Sequence, residues 1–410
     1  MQTKYNKFEQ QLNGFLKAYL DDGSFDLLKE RINLPDKETD STSEKINEFY
    51  KEQLQLNNTS SKERVRIDRI ITFSEKNLSP EKFCKFLNEL GNICLSEGKL
   101  DLANEIFRKV NKLSNNEGTK AESLLGIADV FSRRAKWIRS LDAIKQAKAL
   151  FKSVSDNHGL AKCENFLGTI YGEKGDIIKA KKHLLTSLSL NYSSEDPELT
   201  ANLYANIGIV YNIQGNPEDS INHLKKSLAL YNKLGNYKSA AEVSLNIGIV
   251  QYESDHYKDA MVSLDSAIKF SKEGEYYSTL CLAYLAKAQV LVILQDFFYA
   301  EKFANQALEI SHNLDDKLTL ADLYKVKGII ERQLGNYAMS ETYLLNSLRI
   351  NQSLNNEMNI AETSFELGLL YDKIEDVKSK NSCLKKAQDY FKGIQANTKV
   401  ETIEAMLAFN

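Results

Sequence analysis

The chain is poor in what breaks helices and in what carries catalysis. Its 410 residues include only four prolines, Pro35, Pro80, Pro197 and Pro217, which suits a nearly all-helical chain. The five cysteines, Cys84, Cys94, Cys163, Cys281 and Cys383, are odd in number and form no CxxC. They read as thiols of a reducing compartment and not as a disulfide framework, so the expected location is the cytoplasm. No apolar run reaches the roughly 18 residues of a spanning helix, and residues 1–7 lack the apolar core of a signal peptide. Lys and Arg number 53 against 56 Asp and Glu, a formal net charge of -3. Without a basic surplus, a nucleic-acid partner is not expected. Five histidines are present, and no HExxH, Walker loop or GxSxG occurs. No nucleophile, base and oxyanion donors assemble from these residues, so no enzymatic activity, cofactor or metal is expected. His183 and His223 share one repeat position, but stacked helices lie roughly 10 Å apart. They read as two solvated side chains, not as a metal pair.

What the chain has is a period. A small residue, usually preceded by Leu or Ile, recurs at Gly91, Ala128, Gly168, Gly208, Gly248, Ala288, Gly328 and Gly368. The first interval is 37 residues and the other six are 40. A fixed spacing of this size marks stacked copies of one supersecondary unit. With the small residue numbered position 8, position 20 is small in seven of eight copies, as in Ala180, Ser220 and Ala260. Position 24 is mostly a larger apolar residue, such as Leu184, Leu224 or Leu264, and position 27 is Ala or Ser in most copies. Positions 4, 7, 8 and 11 form one helical stripe, and 20, 24 and 27 form another. A turn lies between them, as at Gly175-Asp176, Gly215-Asn216 and Gly335-Asn336. Two antiparallel helices per copy follow, with the small residues letting their backbones approach. One pair cannot bury both of its faces, so neighbours must stack.

Small residues at 8, 20 and 27, with aromatics at 11 and 17, resemble the tetratricopeptide repeat (TPR). Leu167-Gly168-Thr169-Ile170-Tyr171 and Ile207-Gly208-Ile209-Val210-Tyr211 carry the likeness best. The period is longer than the family's usual one and lacks its proline near position 32. It is similar to the long-period arrays of kinesin light chains, Pins-type adaptors and Rap-type regulators. The resemblance implies an all-α fold, a right-handed α-solenoid of helix-turn-helix repeats with a helical N-terminal extension. The expected organisation is a helical cap over 1–80, eight repeats over 81–394 and a half-repeat or capping helix over 395–410.

Outside the array, Tyr5, Phe8, Leu12, Phe15, Leu16 and Tyr19 outline an amphipathic helix. Ser24 is placed to cap a second helix through Phe25 and Leu28. Two more helices are expected near 46–56 and 65–73, after a polar linker. Ser79, Asp196 and Asn216 each precede a proline, the signature of an N-cap followed by the first helical residue. Leu407-Ala408 falls one period after Gly368. It marks either a terminal cap or the start of a repeat in a longer chain.

In arrays of this kind the first helices line the concave surface, at positions 2, 5, 6, 9, 12 and 13. The candidate groove is therefore Asn165, Asn202, Asn206, Ile209, Asn212, Asn246, Ile249, Tyr252, Leu285 and Gln289. Asparagine offers both a donor and an acceptor to a peptide main chain, and the aliphatic neighbours offer apolar contact. Where related arrays clamp an acidic C-terminus with Lys and Arg, this chain has Asn88, Asn92 and Gly126, or Asn165, Thr169, Asn206, Glu242 and Asn246. That clamp is not expected. The expected function is a non-catalytic scaffold that holds a peptide or protein segment in the groove, centred on copies three to six. Two alternatives stay open: a Rap-like regulator acting through its N-terminal helices, and the sensor segment of a longer protein. Self-association through the end faces is a further possibility. Replacing Asn206 and Asn246 by Ala or Arg should weaken ligand binding, measured by anisotropy, and leave the far-ultraviolet helical signal unchanged.

Overall fold

The computed structural model describes residues 12–32, 64–192, 196–314, 316–393 and 396–408, and among them every regular element is a helix. The helices proposed near 46–56, and Tyr5 and Phe8, lie outside the described residues. The chain divides into two compact units, Met1–Asp196 and Pro197–Asn410.

In the first unit, α1 (12–19), α2 (Asp22–Ile32) and α3 (64–77) precede three helical hairpins. These are α4 (Pro80–Ser96) with α5 (Leu100–Leu113), α6 (Glu117–Arg133) with α7 (Trp137–Ser153), and α8 (Asn157–Glu173) with α9 (Ile177–Asn191). The second unit holds α10 (Pro197–Ile213) with α11 (Pro217–Leu234), then α12 (Tyr237–Glu253) with α13 (Tyr257–Glu273). It continues with α14 (Tyr277–Ile293) and α15 (Phe297–Leu314), α16 (Lys317–Gln333) and α17 (Tyr337–Ser353), and α18 (Glu357–Lys373) and α19 (Val377–Gly393). Helix α20 (Asn397–Ala408) comes last.

Each hairpin closes where the position-8 residue meets position 24. A Cβ built on Gly328 would stand 2.6 Å from Cγ of Leu344, and one on Gly168 would stand 2.6 Å from Leu184. Leu344 is fully buried, a burial worth about 1.5–3 kcal/mol, and the glycine makes room for it. In the sixth copy Ala288 replaces the glycine and Ala304 replaces the leucine, so the same gap is filled from the other side. Serines at position 20 add a bond across the hairpin. Ser140 Oγ donates to the Ala128 carbonyl and Ser340 Oγ to the Gly328 carbonyl, both at 2.7 Å.

The turns repeat more tightly than the hairpins do. Position 15 is left-handed in all eight copies, with φ from 53° at Ala135 to 83° at Gly335. Twenty residues further on, the turn between copies repeats this at Ser155, Gly235, Glu275 and Asn355. The hydrogen bonds are those of a Schellman cap: Asp176 N–H donates to Tyr171 O and Gly175 N–H to Gly172 O, both at 2.9 Å. The Asp176 carboxylate then accepts from Lys179 N–H at 3.1 Å and caps the next helix. Asp156, Asn236, Asp316 and Asn356 do the same. One residue thus ends one helix through its N–H and begins the next through its side chain. Both turns of the 40-residue unit are built this way, so first and second helices are nearly equal in length.

The capping expectations hold at Asn216, which accepts from Asp219 N–H, and fail at Ser79, whose side chain makes no cap bond. Ser24 is not the cap of α2 either. Asp21 is: its Oδ1 accepts from Ser24 N–H at 2.8 Å, because a carboxylate one turn earlier reaches the free N–H groups of the first turn. Helix α1 buries Leu12 and Leu16 in the core of the first unit. Its Phe15 and Tyr19 pack on Phe86 of α4 at 4.8 and 5.3 Å. Helix α3 is tied to α5 through Arg64–Glu105 and Lys109–Glu75. Helices α1 and α3 thus pack on α4 and α5 of the first repeat.

Valine at position 328 should meet Leu344 across the hairpin. A loss of about 1–3 kcal/mol is expected for Gly328→Val, read as a lower urea midpoint by circular dichroism, with the wild-type helical signal kept in the absence of urea.

Candidate functional site

In the second unit the first helices of successive copies bring their positions 2, 5, 9, 12 and 13 to one face, and that face encloses a cavity of ≈ 690 Å³. A volume of this size lies within the range of ligand-binding clefts. Tyr252 comes from α12, Gln289, Val292 and Ile293 from α14, and Lys325, Ile329 and Arg332 from α16. Glu362, Phe365 and Glu366 come from α18, while Phe391 of α19 and Lys399 of α20 close the far end. The wall is apolar between two bands of charge.

The first band joins three helices. Lys325 Nζ lies 2.7 Å from Glu362 Oε2 on α18 and 3.5 Å from Asp322 on its own helix. Lys399 of α20 reaches the other Glu362 oxygen at 3.4 Å, and its ammonium sits 4.6 Å from the centre of the Phe391 ring. Asn359 Nδ2 donates to Asp322 Oδ1 at 3.1 Å. Burial alone would raise the Glu362 carboxyl, but the two ammonium groups outweigh it and hold it below the ordinary carboxylate value. Asp322 goes the other way: burial dominates and its carboxyl is raised. Lys325 would lose basicity on burial, yet its two carboxylates raise it. The second band is Arg332 with Glu366. The guanidinium donates to the Glu366 carbonyl at 2.8 Å and stands 2.7 Å from its carboxylate. The Arg332 side chain is only 8% exposed, so this pair is bound into the wall.

Of the residues expected to line a groove, Tyr252 and Gln289 line this cavity. Ile249 is half-buried against the same apolar cluster. Leu285 is 7% exposed and belongs to the core. It shares that cluster with Leu245 and Val326, first-helix residues of the copies on either side, because position 5 of α14 faces its neighbours. Asn202 accepts from the buried Tyr231 hydroxyl at 2.7 Å, and Asn212 donates to Glu253 at 2.9 Å. These two amides join helices of their own unit. Ile209 is 39% exposed. Asn206 and Asn246 are half-buried on α10 and α12. Asn165 lies on α8, in the other unit. Asn88 is buried, with its amide donating to the Thr119 carbonyl at 3.0 Å.

The histidines are more engaged than two solvated side chains. His183 lies against Glu164 at 2.6 Å and stacks on Tyr171 at 5.3 Å. His223 contacts the Asp219 carbonyl and stacks on Tyr211 at 5.1 Å. Each covers the position-11 tyrosine of its own hairpin. The Cys163 and Cys281 thiols are pushed by burial up to about 12, far from the thiolate a nucleophile needs. Among the described residues no helix is long and apolar enough to cross a membrane.

The cavity sits over copies five to eight, later in the chain than the centre expected from the asparagines. Lys325, Arg332, Glu362 and Phe365 were legible: positions 2, 5 and 12 of the seventh and eighth copies point to them. Phe391 and Lys399 were not, since they come from a second helix and from the final helix.

The family model of the tetratricopeptide repeat matches residues 199–273. No curated protein matches the chain in sequence. Solved structures share the fold at low identity. One is a signal transduction ATPase with numerous domains from Pyrococcus horikoshii that carries a tetratricopeptide repeat sensor. It is 14% identical with a TM-score of 0.65, over 83% of this chain and 52% of that one. This chain therefore spans about half the length of that protein. A Rap protein complexed with competence and sporulation factor is 14% identical, TM-score 0.55, over 80% of this chain and 97% of the other. The quorum sensor NprR from B. thuringiensis, in its apo form, is 13% identical, TM-score 0.60, over 81% and 94%. NprR with its cognate peptide NprX is 17% identical, TM-score 0.50, over 68% and 84%. At these identities the likeness is one of fold.

Removing the ammonium between Asp322 and Glu362 should leave two half-buried carboxylates facing each other. Lys325→Met is expected to lower the stability of the second unit by about 1–3 kcal/mol at neutral pH, between the exposed-pair and buried-pair ranges. The substitution removes a cation that lowers both carboxyls, so each pKa rises in the folded state relative to the wild type. The deficit should therefore shrink as pH falls into the carboxylate range and be largest above it. Urea midpoints of variant and wild type at pH 7 and at pH 5 check the sign.

Proposed function

We propose that this chain, whose residues 199–273 match the tetratricopeptide-repeat family model, is a non-catalytic interaction module that holds a peptide or protein segment in the cavity of its second unit. The observation that carries this reading is the cavity itself, built by first-helix residues of four consecutive copies and closed by Phe391 and Lys399. Its walls combine aromatic and aliphatic side chains with a few fixed polar groups, the composition expected of a binding site. NprR in complex with its cognate peptide NprX shows that a chain of similar fold holds a peptide, and this supports the same use here.

A second reading is a peptide-responsive regulator that acts on a target through its N-terminal helices. The likeness in fold to a Rap protein complexed with competence and sporulation factor favours it. So does the packing of α1 on the first repeat, where Tyr19 donates to Glu89 at 2.5 Å. The exposed face of α2, with Leu27 56% exposed, is where such a target would dock.

The two readings separate in the full-length protein. A partner captured from host lysate should bind Tyr252→Ala and Phe365→Asp about tenfold or more weakly than wild type under the first reading. Wild-type affinity in both variants would remove the cavity as the site. Leu27→Glu should leave that partner's binding intact if the chain is a scaffold alone. It should abolish binding of a second protein, with the peptide still bound, if the chain is a regulator.

A further inference from the structure

The charges of the cavity are closed on themselves. Lys325 is engaged by Asp322 and Glu362, Lys399 by Glu362, and Arg332 by Glu366. Three cations and two carboxylates line the cavity, and Asp322, outside the lining, supplies the third carboxylate that makes the cluster formally neutral. Lys325 and Arg332, with side chains 12% and 8% exposed, cannot swing to a ligand without leaving a half-buried carboxylate behind. A ligand carboxylate entering the cavity would compete with Glu362 and Glu366 for cations already taken. A ligand ammonium would compete with Lys325 and Arg332 for the carboxylates. Either way one charge ends desolvated and unpaired.

The uncharged polar groups are in the opposite state. Gln289, Gln295 and Gln333 line the cavity, and their side-chain amides make no hydrogen bond to any described residue. The hydroxyl of Tyr252, also a lining residue, makes none either. A side-chain amide offers a donor and an acceptor at once, the pair that a peptide unit presents in reverse. Between these groups the wall is aliphatic and aromatic, with Val292, Ile293, Ile329 and Phe365.

Resting on the reading that the cavity takes a peptide, we propose that the bound stretch carries no formal charge. It is an extended segment with bulky aliphatic or aromatic side chains, whose main chain is read by the three glutamines and Tyr252. Neither an acidic nor a basic motif is its determinant. Specificity comes from rejection as much as attraction, since the paired charges penalise a ligand charge of either sign.

Three libraries of N-acetylated, C-amidated hexapeptides, screened on the full-length protein by fluorescence anisotropy, test this. One is drawn from Leu, Ile, Phe, Ala, Asn and Gln. The second fixes Glu at the third position and the third fixes Lys there. The neutral library should bind best, and a central Glu or Lys in its tightest member should weaken binding about tenfold or more. The affinity of that member should change less than about twofold between roughly 50 and 500 mM NaCl. Gln289→Leu, which keeps the side-chain volume, should weaken it about fivefold or more. Tighter binding by the Glu or Lys library, reversed by Gln289→Leu and falling steeply with salt, would overturn neutrality and leave a peptide site in place. No binding by any library, or binding that Gln289→Leu and Tyr252→Ala leave untouched, would overturn both.

Discussion

The close approach of two helix backbones at one small residue underlies everything else in this protein. At position 8 a glycine leaves room for the leucine at position 24 of its partner helix, as with Gly328 and Leu344. The fit sets how near the helices lie, and so which residues of the hairpin remain outside. Once two helices of equal length are closed in this way, each presents one bare face, and the next hairpin must cover it. The turn adds a second constraint of the same kind. Because Asp176 both completes the Schellman cap through its N–H and caps the next helix through its carboxylate, the chain reverses in three residues with no slack. Ala135, Asp255, Gln295 and Glu375 adopt the left-handed conformation at this point although an L side chain resists it. The cap bonds and the packing of both helices hold them there.

With the hairpin interior and the stacking faces committed, the first-helix face is left open, and in the second unit it lines a cavity. The charged groups there are part of the scaffold. Lys325, Glu362 and Lys399 tie α16, α18 and α20 together, and Arg332 ties α16 to α18. Half-buried pairs of this sort contribute little net stability against apolar residues of the same size, but removing one partner is costly. They link the three helices that wall the cavity lined by Tyr252 and Phe391. The glutamines and Tyr252 line the same cavity outside these ion pairs.

The repeat, the all-helical class and the position of every hairpin were legible in the sequence because they rest on local spacing. The small residue at 8 and the apolar residue at 24 recur too regularly to be anything but a stack. The turn residues were legible only in part. Gly175, Gly215 and Gly335 announce a left-handed turn, whereas Gln295 and Glu375 adopt it without any such signal. The groove was harder to read. Asn202 and Asn212 look like ligand-binding amides, yet their partners are Tyr231, 29 residues on in the same hairpin, and Glu253, 41 residues on in the next. Leu285 holds a groove position by register and a core position in space.

By itself, then, the amino-acid sequence determined the unit, its period and the face that each first helix turns outward, since each of these follows from contacts between residues within one hairpin. The tertiary structure alone decided which stretch of that face encloses a cavity and which of its charges are already spent. Lys325 meets Glu362, and Glu362 meets Lys399, across 37 residues at each step. Which side chains pair over that separation depends on how neighbouring hairpins stack, a geometry that no single repeat contains.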